Sequence, residues 1–328
     1  MYYILDLSTD PYWNLAAEEY LLKNFNKPVF RLWQNSPSVI IGLHQNAYAE
    51  INLEFVKRGN IPVVRRLSGG GAVFHDLGNI NFTFIDTLNT DEDSSAMFSR
   101  FTSPIISALN NIGINAQLKG RNDLVIDDKK FSGNAIAIYK NRVLQHGTLL
   151  FKSNINSLSS ALQSRPEHFK GKSVQSVKSR VTNIWDHLSE KMSVEEFIQY
   201  IQNYITQTKN SYQLYKYTTQ DIINITKLKI EKYSLDSWNY GKSPKYTFSK
   251  VLRFEGGLIE SYLTIEKGVI IDINIYGSYF FNKETIELER LLKGINHTPE
   301  SVKEVIKDIN LSDYINNITE EEFINLIF

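Results

Sequence analysis

The sequence predicts an α+β fold in which mixed β-sheets flanked by helices are followed by a small α+β domain. Runs of β-branched and aromatic residues alternate with helical patterns through the first half of the 328-residue chain. The composition then changes in SWNYGKSPKYT (237–247), where a glycine and a proline stand in a polar stretch typical of a linker. Beyond it, glycine turns and period-two alternation indicate an antiparallel sheet. We therefore divide the chain into a first domain that is large enough to be catalytic (1–240), a linker (241–247) and an accessory domain (248–328).

Each element of the first domain has its own signal. Strands are predicted where β-branched and aromatic residues concentrate, over 2–8, 29–33, 38–42, 80–86, 123–127 and 142–151. The last two of these would flank a polar turn. Helices are predicted over 14–25 with Asn14 as its cap, over 97–113 ending at Gly113, and over 193–205 with a Ser-x-x-Glu capping box.

The accessory domain begins with strand-like segments. Turn signals at Gly256-Gly257 and Lys267-Gly268 divide residues 251–277 into a small antiparallel meander. Helices follow over 283–294, after the Thr298 cap with Pro299 at the first position, and after a capping box formed by Thr319 and Glu322.

Composition excludes several classes of function. The formal net charge is zero, so no overall charge attracts nucleic acid or a membrane surface. The sequence has no cysteine, which excludes disulfides, thiolate metal sites and a cysteine nucleophile. The first residues meet Asp6 and Asp10 early instead of a basic stretch, and no apolar run is long enough for a membrane span. We therefore expect a cytoplasmic protein.

The segment RRLSGGGAVFHDLGN (65–79) places three consecutive glycines after two arginines and a serine. Glycines let a backbone approach a ligand closely and present its N–H groups, and arginine suits phosphate or carboxylate. The alternative interpretation is a glycine-rich bend in a sheet. We favour a ligand loop, because three successive glycines are costly in backbone entropy.

Three further segments have two interpretations each. In GRNDLVIDDKKFSGNA (120–135), Lys130 would present an ammonium at a flexible turn, although a solvated turn explains the same spacing. QHGTLL (145–150) follows with His146 entering an apolar strand, where a core role is the ordinary one. KGKSVQSVKSRVTNI (170–184) is basic and has no acid, which is typical of an exposed loop or of a loop that folds over an anion.

Taken together in this order, the segments resemble the A-type lipoate–protein ligases of the biotin/lipoate ligase superfamily. Residues 65–79 are similar to the family's lipoate-binding loop, KFSGNA (130–135) to its Lys-x-Ser-Gly-x-Ala motif, and 170–184 to its adenylate-binding loop. LWQNSPSVIIGLHQN (32–46) is similar to the family's first sheet, and the tail resembles its accessory domain. The resemblance covers nearly the whole chain and implies a biotin/lipoate ligase-like catalytic fold.

The resemblance implies a two-step reaction. Lipoate and MgATP would give lipoyl-adenylate and pyrophosphate, and the ε-amine of a lysine on a lipoyl domain would then displace AMP. The acceptor would be a glycine-cleavage H protein, an E2 subunit of a 2-oxoacid dehydrogenase, or both. Octanoate stays open as a second acyl substrate, and we expect a monomer.

The resemblance also implies roles for individual residues. Lys130 would be catalytic, because its point charge can stand between the phosphate and the acyl carbonyl. The lipoate-binding residues would be Trp33, Ser68, Gly69, Gly70, Gly71, Val73, Leu144 and His146. The ATP- or AMP-binding residues would be Arg66, Gly71, Asn79, Asp123, Lys130, Ala135, Lys178 and Arg180. Asp123 is also the candidate Mg²⁺ ligand. Gln145 departs from relatives that often carry a second histidine, which leaves the details of acyl-tail recognition open.

Three other functions compete with this interpretation. Octanoyl- or lipoyl-transferases of the superfamily move an acyl group without ATP but use a cysteine, which this chain lacks. A biotin–protein ligase would need a Gly-Arg-Gly-Arg-type loop where SGGGAVFHD stands. A non-catalytic acyl-binding protein would have no need for both Lys130 and the basic segment. We therefore favour the ligase.

Overall fold

A computed structural model describes residues 1–45, 47–162, 181–207, 212–239, 248–266 and 269–328. The predicted linker over 241–247 lies outside the described residues, and so do Lys178 and Arg180. The helices are α1 (Pro11–Asn24), α2 (Ala47–Glu50), α3 (Leu53–Arg58), α4 (Ser94–Asn111), α5 (Ile155–Ala161), α6 (Val194–Gln207), α7 (Thr219–Leu228), α8 (Asp236–Asn239), α9 (Ile286–Leu292), α10 (Pro299–Ile306) and α11 (Glu320–Ile327). Among the described residues, no helix is both long and apolar enough to cross a membrane.

The described residues form three sheets. The strands are β1 (Tyr2–Leu5), β2 (Val29–Trp33), β3 (Ser38–Ile41), β4 (Val63–Arg65), β5 (Val73–His75), β6 (Asn79–Thr87), β7 (Ala116–Lys119), β8 (Asp123–Ile126), β9 (Lys129–Tyr139), β10 (Arg142–Leu150), β11 (Gln213–Leu214), β12 (Phe248–Phe254), β13 (Gly257–Glu266) and β14 (Val269–Gly277). An eight-stranded mixed sheet has the order β11-β1-β2-β6-β10-β9-β8-β7. A small sheet has the order β4-β3-β5, and an antiparallel sheet has the order β12-β13-β14. The predicted α+β fold is confirmed.

Successive side chains of β6 point to opposite faces of the large sheet. Phe82 and Phe84 lie in the main hydrophobic core, together with Phe101 of α4 and Phe197 of α6. The intervening Thr83 belongs to the opposite face, which α1 covers in part. One face of the large sheet is therefore covered by the hydrophobic core, and the other face is available for a functional site.

The accessory part has its own core. Its antiparallel sheet packs against α9, α10 and α11 through a cluster of buried apolar residues between Phe254 and Ile327. The Thr319–Glu322 capping box and the Thr298 cap form as predicted. The boundaries of the two domains stay a prediction, because residues 240–247 lie outside the described ranges.

Two predicted elements differ in the structure. Helix α1 begins at Pro11, and the Asp10 carboxylate accepts the Tyr12 N–H at 2.9 Å, so the prediction that Asn14 is the cap was wrong. Asn14 lies one turn inside, where its amide bonds to the Ser8 carbonyl at 2.8 Å. The predicted polar turn around Lys130 was also wrong, because residues 129–139 form β9. Only Asp127 and Asp128 make a turn there, both with positive φ.

Candidate active site

Arg66 shapes the glycine-rich loop between β4 and β5. Its Nη2 donates to the carbonyl oxygens of Gly69 at 2.6 Å and Gly71 at 2.8 Å, and its Nε donates to Ser68 Oγ at 3.0 Å. Burial lowers the pKa of Arg66 to about 10, so it stays charged at neutral pH. Most of its donors hold the loop, and the predicted contact of Arg66 with phosphate stays a prediction.

Arg65 is a structural anchor. Its Nη1 donates to the carbonyls of Gly42, Leu43 and Gln45 at 2.9, 3.0 and 2.7 Å. Its Nη2 also donates to the Asn239 carbonyl at 3.0 Å. The first arginine of the motif therefore ties the loop to the β3–α2 turn and to α8.

The open face of the large sheet forms the floor of a cavity beneath this loop. Asn81 of β6 lies opposite Trp33 of β2 on one side and Thr148 of β10 on the other. Two residues further along each strand, Thr83 lies opposite His146. These residues face α1 and the glycine loop, so the floor of the cavity is polar. Its opposite wall includes apolar side chains from Leu15, Ile40, Ala72 and Val73.

A chain of buried polar groups closes one end of the cavity. Ser68 Oγ lies 2.6 Å from His146 Nε2, and His146 Nδ1 lies 3.0 Å from a carboxylate oxygen of Glu18. Thr83 donates to Glu18 at 2.5 Å and accepts the indole N–H of Trp33 at 2.9 Å. Each polar side chain here has at least one partner, so this end is fixed in place.

Glu18 is an ionised group in the interior. Burial raises the pKa of Glu18, but the hydrogen-bonded His146 and the Arg31 guanidinium outweigh burial and hold that pKa below its usual value. Sequence reasoning missed this residue. The signal was present, because Glu18 follows Leu15 by three positions on the side of α1 that faces the protein, where an acid is exceptional.

Lys130 lies at the open end of the cavity. Its ammonium pairs with the Asp123 carboxylate at 2.7 Å, and both side chains are 40% exposed. The side chain folds back over Gly133, where an added Cβ would stand 3.0 Å from the Lys130 Nζ. Thr182 donates its N–H to the Lys130 carbonyl at 2.9 Å. The chain therefore returns from residues 163–180 directly beside this lysine.

The structure brings eight of the predicted site residues to the wall of the cavity. They are Trp33, Arg66, Gly70, Gly71, Val73, Lys130, Ala135 and His146. The wall also contains residues that sequence reasoning did not assign, among them Asn81, Asn122, Asn134 and Thr148.

Other predicted site residues lie behind this wall. Leu144 is 1% exposed and packs with Leu21 and Leu22 under α1, so the structure does not support its predicted contact with lipoate. It stands two residues beyond His146 on the same strand, where the helix already covers the sheet. Asn79 is fully buried and donates to Asn81 Oδ1 at 3.0 Å, and its predicted contact with nucleotide stays a prediction.

Gly69 and Gln145 are also turned away from the cavity. An added Cβ on Gly69 would lie 2.3 Å from the carbonyl oxygen of Tyr279 in the accessory part. Gln145 is fully buried and its Nε2 donates to Asn134 Oδ1 at 2.8 Å. Gln145, where relatives often carry a second histidine, therefore influences the cavity through its hydrogen bond to Asn134.

Family comparisons agree with this architecture. The lipoyl protein ligase A/B catalytic domain family matches residues 10–206, and the bacterial lipoate protein ligase C-terminus matches residues 243–327. The chain belongs to the lipoyl protein ligase A/B family, as its motifs indicated. Lipoate-protein ligase LplJ of Bacillus subtilis is 42% identical over 323 residues, which cover 97% of each chain. Lipoate–protein ligase 1 of Staphylococcus aureus is 40% identical with the same coverage.

Solved structures show the same likeness. The P. falciparum LipL1 structure in complex with lipoate has a TM-score of 0.77 and 27% identity, covering 98% of this chain and 96% of that one. A lipoate-protein ligase A structure bound with ATP has a TM-score of 0.64 and 28% identity, covering 74% of this chain and 99% of that one. The fold therefore extends over both parts of the chain.

Proposed function

We propose that the chain is an ATP-dependent, AMP-forming lipoate–protein ligase that joins lipoate to a lysine of a lipoyl domain. One observation carries this proposal. The Lys130 ammonium lies at the mouth of a cavity walled by the glycine loop, in a chain that aligns with lipoate-protein ligases over 97% of its length. The absence of cysteine from the sequence excludes a thioester route.

The acyl chain is proposed to lie along the cavity floor, with its carboxyl group near Lys130 and its tail near His146. Ala135, the β9 partner of His146, follows Gly133 by two residues, which corresponds to about 7 Å along a strand. The Lys130 ammonium lies over Gly133. The satisfied polar groups around His146 then form a rigid end wall, and the open end is left to the nucleotide.

The two chemical steps place charge near Lys130. In the first, a carboxylate oxygen of lipoate bonds to the α-phosphorus of ATP, and pyrophosphate leaves. In the second, the acceptor amine bonds to the acyl carbon, AMP leaves with the electrons of the broken C–O bond, and the amine loses a proton. Lys130 stabilises the negative charge in both steps, since its ammonium lies at the cavity mouth, where that charge is proposed to develop.

Mg²⁺ is part of the proposal, with Asp123 as its protein ligand. Mg²⁺ prefers oxygen ligands and often binds through one or two carboxylates together with substrate phosphates. The Asp123 carboxylate is 40% exposed at the cavity mouth, which fits that arrangement. The described residues contain no group of three or more acidic or histidine side chains able to hold a metal alone. Bound Mg²⁺ would neutralise phosphate charge, while Lys130 orients the acyl group.

The basic segment over 170–184 is proposed to close over the adenylate with Lys178 and Arg180. Support comes from its exit, because Val181 and Thr182 pair with Lys130. A lid has a purpose, since the mixed anhydride must be shielded from water. We further propose that the enzyme works in the cytoplasm as a monomer.

The proposed acceptors are the glycine-cleavage H protein and E2 subunits. An archaeal lipoylation system from Thermoplasma acidophilum contains a bi-partite lipoate protein ligase and its E2 lipoyl domain. That structure is 29% identical to this chain, with a TM-score of 0.67. The archaeal pairing supports an E2 acceptor here, and ligation onto both kinds of acceptor would measure the preference between them.

Ligation onto a panel of apo lipoyl domains tests the function. We expect mass-detected lipoylation that requires lipoate and ATP, together with lipoate-dependent exchange of radiolabelled pyrophosphate into ATP. Lipoylation from a lipoylated donor protein without ATP would instead indicate a transferase. Lipoate binding with neither exchange nor ligation would indicate an acyl-binding protein.

A further inference from the structure

We infer that Asn81 is a second donor to the acyl carboxyl group and shares the cavity floor with Gly133, over which the Lys130 ammonium lies. This inference rests on the proposed ligase function and adds a catalytic residue to it. None of the sequence motifs contains Asn81. The inference comes from its unsatisfied amide, from its place in the sheet and from the charge that the reaction develops.

The Asn81 amide has an unused donor. The residue is 2% exposed and lines the cavity. Its Oδ1 accepts from Asn79 Nδ2 at 3.0 Å, while its Nδ2 has no hydrogen-bond partner in the part of the chain that the structure describes. A buried donor without a partner is costly, and a ligand acceptor is one of the few reasons to retain it.

The neighbouring polar side chains on this floor have partners. Thr83 donates to Glu18, and Thr148 Oγ1 accepts the Gly133 N–H at 3.2 Å. His146 contacts both Ser68 and Glu18. Asn81, away from the closed end, therefore differs from these described floor residues in having a side-chain donor without a partner.

The sheet register sets Asn81 and Gly133 in one row, and the Lys130 ammonium lies over Gly133. Asn81 lies opposite Thr148 of β10, and Thr148 contacts Gly133 of β9, over which the Lys130 ammonium lies. Two strand spacings separate the main chains of Asn81 and Gly133 by about 10 Å. A carboxyl group that accepts a hydrogen bond of about 2.9 Å from Asn81 and another from Lys130 would bridge this separation.

This row corresponds to the carboxyl end of the substrate and not to its tail. The row with His146 lies two residues further along the strands, about 7 Å away. A side chain that contacts the carboxyl group there would make the same contact with every acyl substrate, whatever its tail. Asn81 would therefore affect turnover without changing the choice between tails.

The donor would act in both chemical steps. While one carboxylate oxygen bonds to the α-phosphorus and pyrophosphate leaves, Asn81 Nδ2 donates to the other oxygen, which becomes the carbonyl oxygen. When the acceptor amine then bonds to the acyl carbon, that oxygen carries the negative charge of the tetrahedral intermediate until AMP leaves. A fixed amide donor stabilises this charge more than it stabilises the ground-state carbonyl.

Two substitutions remove the donor in different ways. Asn81→Asp keeps an oxygen that can accept from Asn79 but lacks the N–H₂ group, and Asn81→Leu lacks the donor without adding charge. Both should lower kcat for lipoate-dependent pyrophosphate exchange by about 10²–10³-fold, the usual effect of losing one oxyanion donor. Asn81→Ser, which keeps a short hydroxyl donor, should lose less. Thermal unfolding of each variant checks that it is folded.

A comparison of acyl substrates separates a carboxyl contact from a tail contact. Lipoate and octanoate share the carboxyl group, so Asn81→Leu should lower kcat/KM for both by the same factor. Aminolysis of preformed lipoyl-adenylate by an apo lipoyl domain should also slow. A changed lipoate-to-octanoate ratio, a rise in the KM for ATP alone, or wild-type turnover in a folded variant would overturn the inference. Inactivity of the wild-type protein would instead refute the ligase function itself.

Discussion

Lys130 owes its environment to one neighbour on another strand and to one neighbour in its own motif. Asp123, its ion-pair partner, lies on the adjacent strand β8, and Gly133 leaves room for its side chain to fold back. The pair is too exposed to contribute much to stability, because exposed ion pairs are worth about 0–1 kcal/mol. The lysine is therefore placed for chemistry at little structural cost.

Replacing Lys130 by alanine should lower turnover by about 10²–10³-fold or more, because one positive charge that acts in both steps is lost. The free energy of unfolding should change by less than about 1 kcal/mol. Steady-state ligation kinetics and urea unfolding measure the two effects. The control is Lys129→Ala, which removes the exposed neighbouring lysine and should leave turnover unchanged. Equal activity of Lys130→Ala and the wild type would move the role elsewhere.

The glycine loop is held between two neighbours. On one side Arg66 donates hydrogen bonds to the loop carbonyls, and on the other side Gly69 lies against the Tyr279 carbonyl of the accessory part. Gly71, only two residues away, has nothing within 4 Å of a would-be Cβ. The glycines of this loop therefore serve different purposes.

Gly69→Ala should be destabilising, because its methyl group would stand 2.3 Å from the backbone oxygen of Tyr279. We expect a lower thermal unfolding temperature and a loss of about 1–3 kcal/mol, as for other overpacked sites. Gly71→Ala is the matched control, and it should unfold like the wild type. If both variants unfolded at the wild-type temperature, the contact between loop and accessory part would not exist in solution.

The basic segment over 170–184 should respond to ligands. Its cationic side chains are Lys170, Lys172, Lys178 and Arg180, which are trypsin sites outside the described residues. We expect lipoate with MgATP to slow trypsin cleavage there, because the segment re-enters the fold beside Lys130. The same cleavage rate with and without ligands would argue against a lid.

The accessory part contacts the catalytic part through Tyr279, Phe280 and Phe281. His44 stacks on Tyr279 with ring centroids 5.1 Å apart and meets the edge of Phe281 at 4.1 Å. Phe280 packs against Phe98 of α4 at 5.5 Å. Three successive aromatic residues therefore connect the accessory part to the β3–α2 turn and to α4.

Two buried histidines link the stability of the molecule to pH. Burial, aided by Arg65, lowers the pKa of His44 to about 3, and burial, aided by Arg66 and His146, lowers the pKa of His75 to about 3. In the unfolded chain both titrate near 6.5. Between pH 3 and 6.5 the unfolded state binds more protons, so the free energy of unfolding falls as pH falls through this window.

His44→Phe should keep the aromatic stack but remove one of these titrations. Its free energy of unfolding should decline less steeply between pH 6.5 and 4 than that of the wild type, by up to about 1.4 kcal/mol per pH unit. Urea unfolding at several pH values measures the slope. Parallel curves for variant and wild type would show that His44 is not buried as a neutral group.

Local sequence patterns were sufficient to predict the family and much of the fold. The order of the glycine loop, the Lys-x-Ser-Gly-x-Ala motif and the basic segment predicted a lipoate–protein ligase, and the family comparison confirmed it. Strands such as Val29–Trp33 and the Thr319–Glu322 capping box were also predicted correctly, because β-propensity and helix caps act over a few residues.

Long-range pairing decided the walls of the site. Glu18 meets His146 across 128 positions of sequence, and the register between β6 and β10 sets Asn81 opposite Thr148, in the row of Gly133. The same register leaves Leu144 under α1 and turns Gln145 away. A one-residue slip would reverse each of these placements, because side chains alternate between the two faces of a strand. No local pattern specifies register between distant strands, so the chemistry could be read from motifs while the residues around it could not.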